Sequence, residues 1–174
     1  MEDKITLQAT ADRGDKRWQR ILTHPGFSTR LEQIEQAEIH RKFCCHGLPH
    51  LLDVARIMTI MNDEQGGRWD ADVLYAAALV HDIGRVAEYA GGGRHEAEGP
   101  PIAREILPAC GYTDAETALI ADAVAKHNGK DGGGTGNLAS LLKAADRLSR
   151  PCYACAAREE CYWPEEKKNA GPAY

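Results

Sequence analysis

VLYAAALVHDIGR, residues 73–85, decides how this chain folds. The run from Val73 to Val80 is strongly apolar, and its three consecutive alanines favour a helix over a strand. His81-Asp82 follows directly, with Ile83-Gly84 behind it. Adjacent side chains on a helix point about 100° apart, so a helix interior cannot aim both inward. At a helix end, with a glycine following, both can converge on one point. A neutral imidazole beside a carboxylate suits Zn, Mn, Fe or Ni.

Outward from this stretch the helical period continues in both directions. Val, Ile and Thr are sparse, and no long run alternates apolar with polar residues, so strands are unsupported. Towards the N-terminus, Asp70 or Asp72 can cap the apolar helix. Before it, a helix is expected from about Pro49 to about Asp63, with Leu51, Leu52, Val54, Ile57, Met58 and Met61 as its apolar positions. Thr29 and Glu32 have capping-box spacing for a helix through Leu31, Ile34 and Phe43. Trp18, Ile21 and Leu22 suggest a short amphipathic turn that Pro25-Gly26 breaks. The first ten or so residues are polar and expected to fray.

Towards the C-terminus, YAGGGR reads as a loop. A helix follows from His95 to Leu107, with Pro100-Pro101 delaying its regular part. Thr113 and Glu116 form a capping box for a helix ending near His127. KDGGGTG is a loop, and Asn137 caps a helix through Leu138, Leu141, Leu142, Ala145 and Leu148 that Pro151 ends. The expected fold class is therefore all-α, a helical bundle. Residues 1–25 read as an extension, 26–150 as one helical domain that carries the His-Asp pair, and 151–174 as a cysteine-containing tail packed on it.

A chain of 174 residues with 43% apolar content suits one core. Its net charge of -5 leaves no strong nucleic-acid footprint. No apolar run is long enough for a membrane span. The N-terminus lacks a signal-peptide h-region, so a cytoplasmic protein is expected. Six cysteines without an export signal then point to metal binding or redox chemistry rather than disulfides.

Further candidate ligands stand on neighbouring helices. His50 is flanked by Leu51 and Val54. Asp146 follows Ala145 on the leucine-rich helix, where a buried carboxylate is costly unless it pairs with a cation, such as Arg147 or Arg150, or binds a metal. His50, His81, Asp82 and Asp146 can together surround one cation. His95 and His127 lie at element ends, where sites are often built. The glycine loop GKDGGGTGN lacks Gly-Lys-Ser/Thr in the order a phosphate loop needs.

The segments GLPHLLDVARIM, AAALVHDIGR, HEAEGPPIAREIL, AVAKHNG and LLKAADRLSR, spanning roughly residues 40–150, resemble the HD-domain superfamily of metal-dependent phosphohydrolases. The resemblance implies an HD-domain-like bundle and assigns His50, His81, Asp82 and Asp146 as metal ligands. In bimetallic members two further histidines, here His95 and His127, bind a second metal, and the aspartate corresponding to Asp82 bridges the pair. The region from His127 to Asp146 is similar to that of symmetrical diadenosine tetraphosphate hydrolases. Many relatives carry arginine where this chain has Asp53, whereas the basic residue after HDIG is present as Arg85.

The implied activity is hydrolysis of a phosphomonoester or phosphoanhydride of a small molecule, a nucleotide in the first instance. Two divalent ions (Fe, Mn, Ni, Co, Zn or Mg) would activate water, so no Ser or Cys nucleophile is needed. Asp82, Arg85 and His46 are the catalytic candidates, with His46 supplying a proton to the leaving group. Lys126, Lys130 and Arg147, with Arg94, are candidate phosphate contacts. Two alternatives remain at this point: a di-iron oxygenase, as some relatives are, with Lys126 or Lys130 binding a substrate anion, and a non-catalytic nucleotide or metal sensor. The oligomeric state has no signature in the sequence.

Cys152, Cys155 and Cys161 form C-x2-C-x5-C, a spacing found in half zinc knuckles and in iron–sulfur ligand runs. A fourth ligand can come from Cys44 or Cys45. A structural zinc is the first expectation, an iron–sulfur cluster the second, and three reduced thiols the third. Cys110 reads as a small apolar residue, Trp163-Pro164 as the tail's anchor, and EEKKN as a solvated turn.

Overall fold

A computed structural model describes residues 16–129 and 136–174. The expected fraying of the first residues and the loop at 130–135, including Lys130, lie outside the described residues. Among those described there are eight α-helices and no strand: α1 Arg17–Thr23, α2 Pro25–Ala37, α3 Leu48–Glu64, α4 Ala71–Val80, α5 Arg85–Tyr89, α6 His95–Ala109, α7 Asp114–Lys126 and α8 Leu138–Leu148. Three short 3-10 turns come after them, at Cys152–Ala154, Arg158–Glu160 and Glu165–Lys167.

The apolar run forms the centre. In α4 every residue from Ala76 to Val80 is 0% exposed, as a helix apolar on all sides requires. Its alanines let neighbours approach closely, and α1, α3, α6, α7 and α8 all pack on it. Asp70 caps it, accepting a hydrogen bond from the Asp72 amide at 2.8 Å. Leu51, Val54, Ala55 and Met58 turn one face of α3 towards α4 and α8. Leu138, Leu141, Leu142 and Ala145 do the same for α8. Each such buried leucine contributes roughly 1.5–3 kcal/mol.

Local capping fixes the other boundaries. Thr113 and Glu116 make a complete capping box at α7, and Asn137 accepts from the Ser140 amide at 2.7 Å to open α8. The start of α2 differs from expectation. Pro25 does not end a turn there; it occupies the first turn of the helix, with the His24 ring accepting from the Gly26 amide at 3.1 Å. Proline suits that position because its missing N–H has no intrahelical partner. Thr29 and Glu32 consequently lie inside α2, and Phe43 lies beyond its end. Helix α6 is regular from His95 and runs through Pro100, Pro101 and Pro108, forgoing the backbone bonds those residues cannot donate. The short α5, directly after HDIG, has no counterpart in the sequence reading.

The tail folds back onto the C-terminus of α8. Asn169 donates from Nδ2 to the carbonyls of Arg147 at 2.9 Å and Arg150 at 2.8 Å, satisfying acceptors that a helix end leaves open. The Arg150 guanidinium lies 4.1 Å from the centre of the Trp163 ring, so Trp163 does anchor the tail. The turn Glu165–Lys167 forms, but Lys168 is not solvated: its side chain is 6% exposed and donates to the Arg158 carbonyl at 2.9 Å. Arg17 joins α1 to the bundle through Glu116 at 2.9 Å and Asp72 at 3.3 Å.

Candidate metal centre

Several structural elements converge at the C-terminal end of α4. His81 and Asp82 stand in the turn after Val80, His50 on the first turn of α3, Asp146 on α8, His95 at the start of α6 and His127 just past α7. Two sets of three donor atoms lie within 4.8 Å of one another, one formed by His50, His81 and Asp82, the other by Asp82, His95 and His127. Asp82 belongs to both. Its Oδ2 is 3.1 Å from His81 Nε2 and 3.6 Å from His50 Nε2. Its Oδ1 faces the other set, 3.5 Å from His95 Nε2. Asp146 Oδ1 completes the first set, 3.4 Å from His50 Nε2 and 4.0 Å from His81 Nε2.

Gly84 makes this convergence possible. A Cβ there would fall 2.2 Å from the His95 carbonyl oxygen, so only glycine lets α6 bring His95 against the His-Asp turn.

The ring tautomers are set by the outer hydrogen bonds. His81 Nδ1–H donates to the Ala78 carbonyl at 2.7 Å, and His127 Nδ1–H to the Val124 carbonyl at 2.6 Å. Ser149 spends its hydroxyl proton on the Asp146 carbonyl at 2.8 Å, so His50 Nδ1–H donates to Ser149 Oγ at 3.2 Å. His95 Nδ1 donates to Glu88 at 2.8 Å, while its Nε2 accepts from Asn128 Nδ2 at 2.7 Å. All four imidazoles thus have Nδ1 held by an outer acceptor and Nε2 turned inward, the outer-shell arrangement of metal-ligating histidines, with the Nε2 of His95 engaged by Asn128 in this structure.

The electrostatics favour an anionic Asp82 and a neutral His127, whereas at His81 burial is outweighed by Asp82 and Asp146, which raise its pKa. Burial opposes a charge on Asp82, but His81, His50 and Arg85 outweigh it and hold the carboxyl well below the usual range. Burial, then the neighbouring His81, pushes His127 down to about 4, which keeps it in the neutral, ligating form. His50 Nε2, His81 Nε2 and Asp82 Oδ1 are buried without an aligned hydrogen-bond partner among the described residues. Buried donors and acceptors are rarely left open, and these point at one another's midst. The donor set fits divalent cations.

A cavity of about 260 Å³ opens beside this cluster, lined by Arg41, His46, Arg85, His95, Asn128 and Arg150, with Tyr162 and Trp163 of the tail as its far wall. His46 is buried and held firmly. Glu38 accepts from its ring Nδ1 at 2.5 Å and its amide at 2.6 Å, and also from the Tyr89 hydroxyl. Burial raises the Glu38 pKa, but these donors prevail and hold it at about 2. Burial in turn lowers the pKa of His46, against the opposing pull of Glu38. Arg85 Nε lies 2.8 Å from Asp82 Oδ1.

The candidate phosphate contacts are placed elsewhere. Lys126 pairs with Asp122 at 2.8 Å on the solvent side of α7. Arg94 is 78% exposed and pairs with Glu96. Arg147 donates to the Glu166 carbonyl at 3.4 Å and does not line the cavity. Arg150 does, beside Arg41 and Arg85, and it also holds Asp146 Oδ2 at 3.0 Å. Asp53, at the place of the usual arginine, pairs with Arg56 at 3.0 Å. Glu38, Glu88, Asn128 and Ser149 are site residues that the sequence reading missed, while Arg150 was named there only as a partner for Asp146. Ser149, one helical turn after Asp146, was within reach of a spacing argument; Glu38 and Glu88 arrive only through folding.

Comparisons with known proteins agree with this geometry. Residues 47–150 match the HD domain family. An uncharacterized protein of Clostridium beijerinckii is 37% identical over 149 residues, covering 86% of this chain and 93% of that protein. Ribonuclease Y of Acetivibrio thermocellus is 32% identical over 102 residues, 59% of this chain but 17% of that protein. The crystal structure of a predicted HD superfamily hydrolase from an uncultured Thermotogales bacterium shares the fold, with a TM-score of 0.57 at 24% identity over 83% of this chain and 82% of that one.

Proposed function

This chain belongs to the HD domain family, and on that premise we propose that it is a phosphohydrolase acting on a phosphomonoester or phosphoanhydride of a small molecule, with a nucleotide as the favoured class. The observation that carries this reading is the sharing of Asp82 between two donor triads, with His50 Nε2, His81 Nε2 and Asp82 Oδ1 buried without an aligned hydrogen-bond partner among the described residues. His50, His81, Asp146 and Asp82 would hold one divalent ion, and His95, His127 and Asp82 the second.

When bound, such a pair supplies Lewis acidity at the phosphoryl oxygens and lowers the pKa of water from about 16 to about 7 in favourable cases. The chain's own residues do the rest. Arg85 and Arg150, on the cavity wall, bind the phosphate oxygens and orient the phosphorus towards the His-Asp turn. With Nδ1–H committed to Glu38, His46 presents the Nε2 lone pair, which takes a proton from the adding water and passes it to the leaving oxygen as its bond to phosphorus breaks. The tail's aromatic side chains exclude bulk water and offer a face on which a base can stack. The similarity to a ribonuclease supports chemistry at a phosphate ester.

Lys126, a motive for the oxygenase alternative, is paired with Asp122, which removes one of its supports. The test is activity of the Mn-, Ni-, Co- or Zn-loaded protein on generic phosphoesters and dinucleoside polyphosphates, beside Asp82→Ala. The variant is expected to keep its helical circular dichroism and lose all turnover. Wild-type turnover in Asp82→Ala, or stable mixed-valent iron with oxygen uptake in place of phosphate release, would overturn the proposal.

A further inference from the structure

The molecule contains a second cavity, of about 340 Å³, which shares Arg150 with the first and also reaches His50 and Ser149. Cys44, from the loop between α2 and α3, and Cys152, Cys155 and Cys161, from the tail, all line it. The tail's turns place the thiols. Cys152 opens the first 3-10 turn and Cys155 closes it, while Cys161 closes the second. Arg158 ties the two turns together by donating to the Cys152 carbonyl at 3.1 Å.

We propose that Cys44, Cys152, Cys155 and Cys161 are the ligands of an iron–sulfur cluster seated in this cavity. Four cysteines distant in sequence have gathered round one void, although none of them is paired in a disulfide. The spacing of the thiols favours a cluster over one ion. Zinc with four thiolates at about 2.3 Å holds its sulfurs about 3.8 Å apart, yet no three of these sulfurs lie within 4.8 Å of one another. An iron–sulfur core binds each thiolate through an iron at its periphery, so its ligands stand further apart around a filled volume. The charge of the wall also fits. Lys42, Arg150, Arg158 and Lys168 line the cavity, each also paired with Glu160, Asp146 or Glu165, and give thiolate ligands a basic wall.

The geometry also chooses between the two adjacent cysteines. Cys44 lines both this cavity and the catalytic one, together with Cys152 and Cys161. Cys45 also borders this cavity, but it shares a separate cleft with Glu35 and Glu38 as well, and its thiol is committed to the Phe43 carbonyl at 3.6 Å. Cys44 is the fourth ligand and Cys45 is not.

The test is anaerobic purification and reconstitution of the full chain with ferrous iron and sulfide, read by acid-labile sulfide, visible charge-transfer absorption and electron paramagnetic resonance after reduction. Acid-labile sulfide separates this site from iron at the histidine cluster, which contains none. The wild type and Cys45→Ser are expected to bind stoichiometric labile sulfide, and Cys155→Ser to lose it. Should Cys155→Ser not fold, native anaerobic alkylation of the wild type gives a second reading: Cys45 is modified while Cys44, Cys152, Cys155 and Cys161 are protected until the cluster is removed. Tightly bound zinc with no labile sulfide, sulfide retained in Cys155→Ser, or free alkylation of all four thiols would overturn the proposal.

Discussion

Replacing Gly84 by alanine should remove one metal site while sparing the other. Gly84 has an ordinary φ of -67°, so backbone conformation does not require glycine there; contact does. The added Cβ would lie 2.2 Å from the His95 carbonyl oxygen and 2.6 Å from the Gly99 amide nitrogen. Both are backbone atoms of α6, and no rotamer change relieves them. Since real Cβ contacts do not close below 3.0 Å, α6 and the His-Asp turn must separate by about 0.8 Å. Metal–ligand distances tolerate only about 0.2 Å. His95 Nε2 therefore leaves the reach of a cation shared with Asp82, while His50, His81 and Asp146 stay on α3, the turn and α8. Overpacking of this kind costs about 1–3 kcal/mol, and for a chain of this length each kcal/mol lowers Tm by about 2–4 °C. Saturation with Mn, desalting and elemental analysis should find one ion fewer per chain than in the parent, with a Tm several degrees lower. Gly91→Ala is the control: its φ of 83° makes it strained, but nothing lies within 4 Å of the new Cβ, so it should lose stability and keep both ions. A Gly84→Ala protein that melts with the parent and binds as much metal would refute the reasoning.

Ser149→Ala removes the acceptor that fixes the His50 tautomer; titration calorimetry should show first-site metal affinity reduced by about 10–100-fold with the fold intact. Glu38, with a pKa of about 2 against an ordinary 4.5, contributes stability that is fully present above about pH 4.5 and is lost as pH falls through about 2. At about 1.4 kcal/mol per tenfold change in proton affinity this is about 3 kcal/mol, so urea denaturation of Glu38→Gln should show a smaller loss between pH 5 and 2 than the parent. Cys155→Ser should lower Tm and leave the histidine-bound metal in place, because joining Cys44 to the tail closes a loop of about a hundred residues, worth about 4–5 kcal/mol in the chain-entropy picture.

Elements whose boundaries rest on local bonds are legible in the sequence. Asp70, Thr113 and Asn137 each close a hydrogen bond to an amide two or three residues on, so sequence alone locates the starts of α4, α7 and α8. The all-round apolar α4 is equally plain. Pro25 misleads because proline both breaks a helix and opens one, and only the residues beyond it decide which. Helix α5 and the loop before α3 have no pattern of their own. They are set by Arg85 meeting Asp82 and by Glu38 gathering His46 and Tyr89 from distant positions.

The proposed ligand set is legible for a related reason: coordination would demand particular residue types on successive helices, and the structure brings those residues together. What orients those ligands is not. Arg150 illustrates this. One of its nitrogens holds Asp146 Oδ2 at 3.0 Å, which leaves Oδ1 as the oxygen facing His50. Its guanidinium is covered by the Trp163 ring, and a desolvated arginine binds a carboxylate more strongly than a hydrated one. The orientation of a ligand on α8 therefore depends on a tryptophan in the tail. Trp163 is in turn held in place by Asn169 on the last carbonyls of α8 and by the chain from Cys161. The same Arg150 lines both cavities. Anything bound by the cysteines would meet the same arginine that holds Asp146, so the tail supports the orientation of this proposed ligand although it contributes none itself.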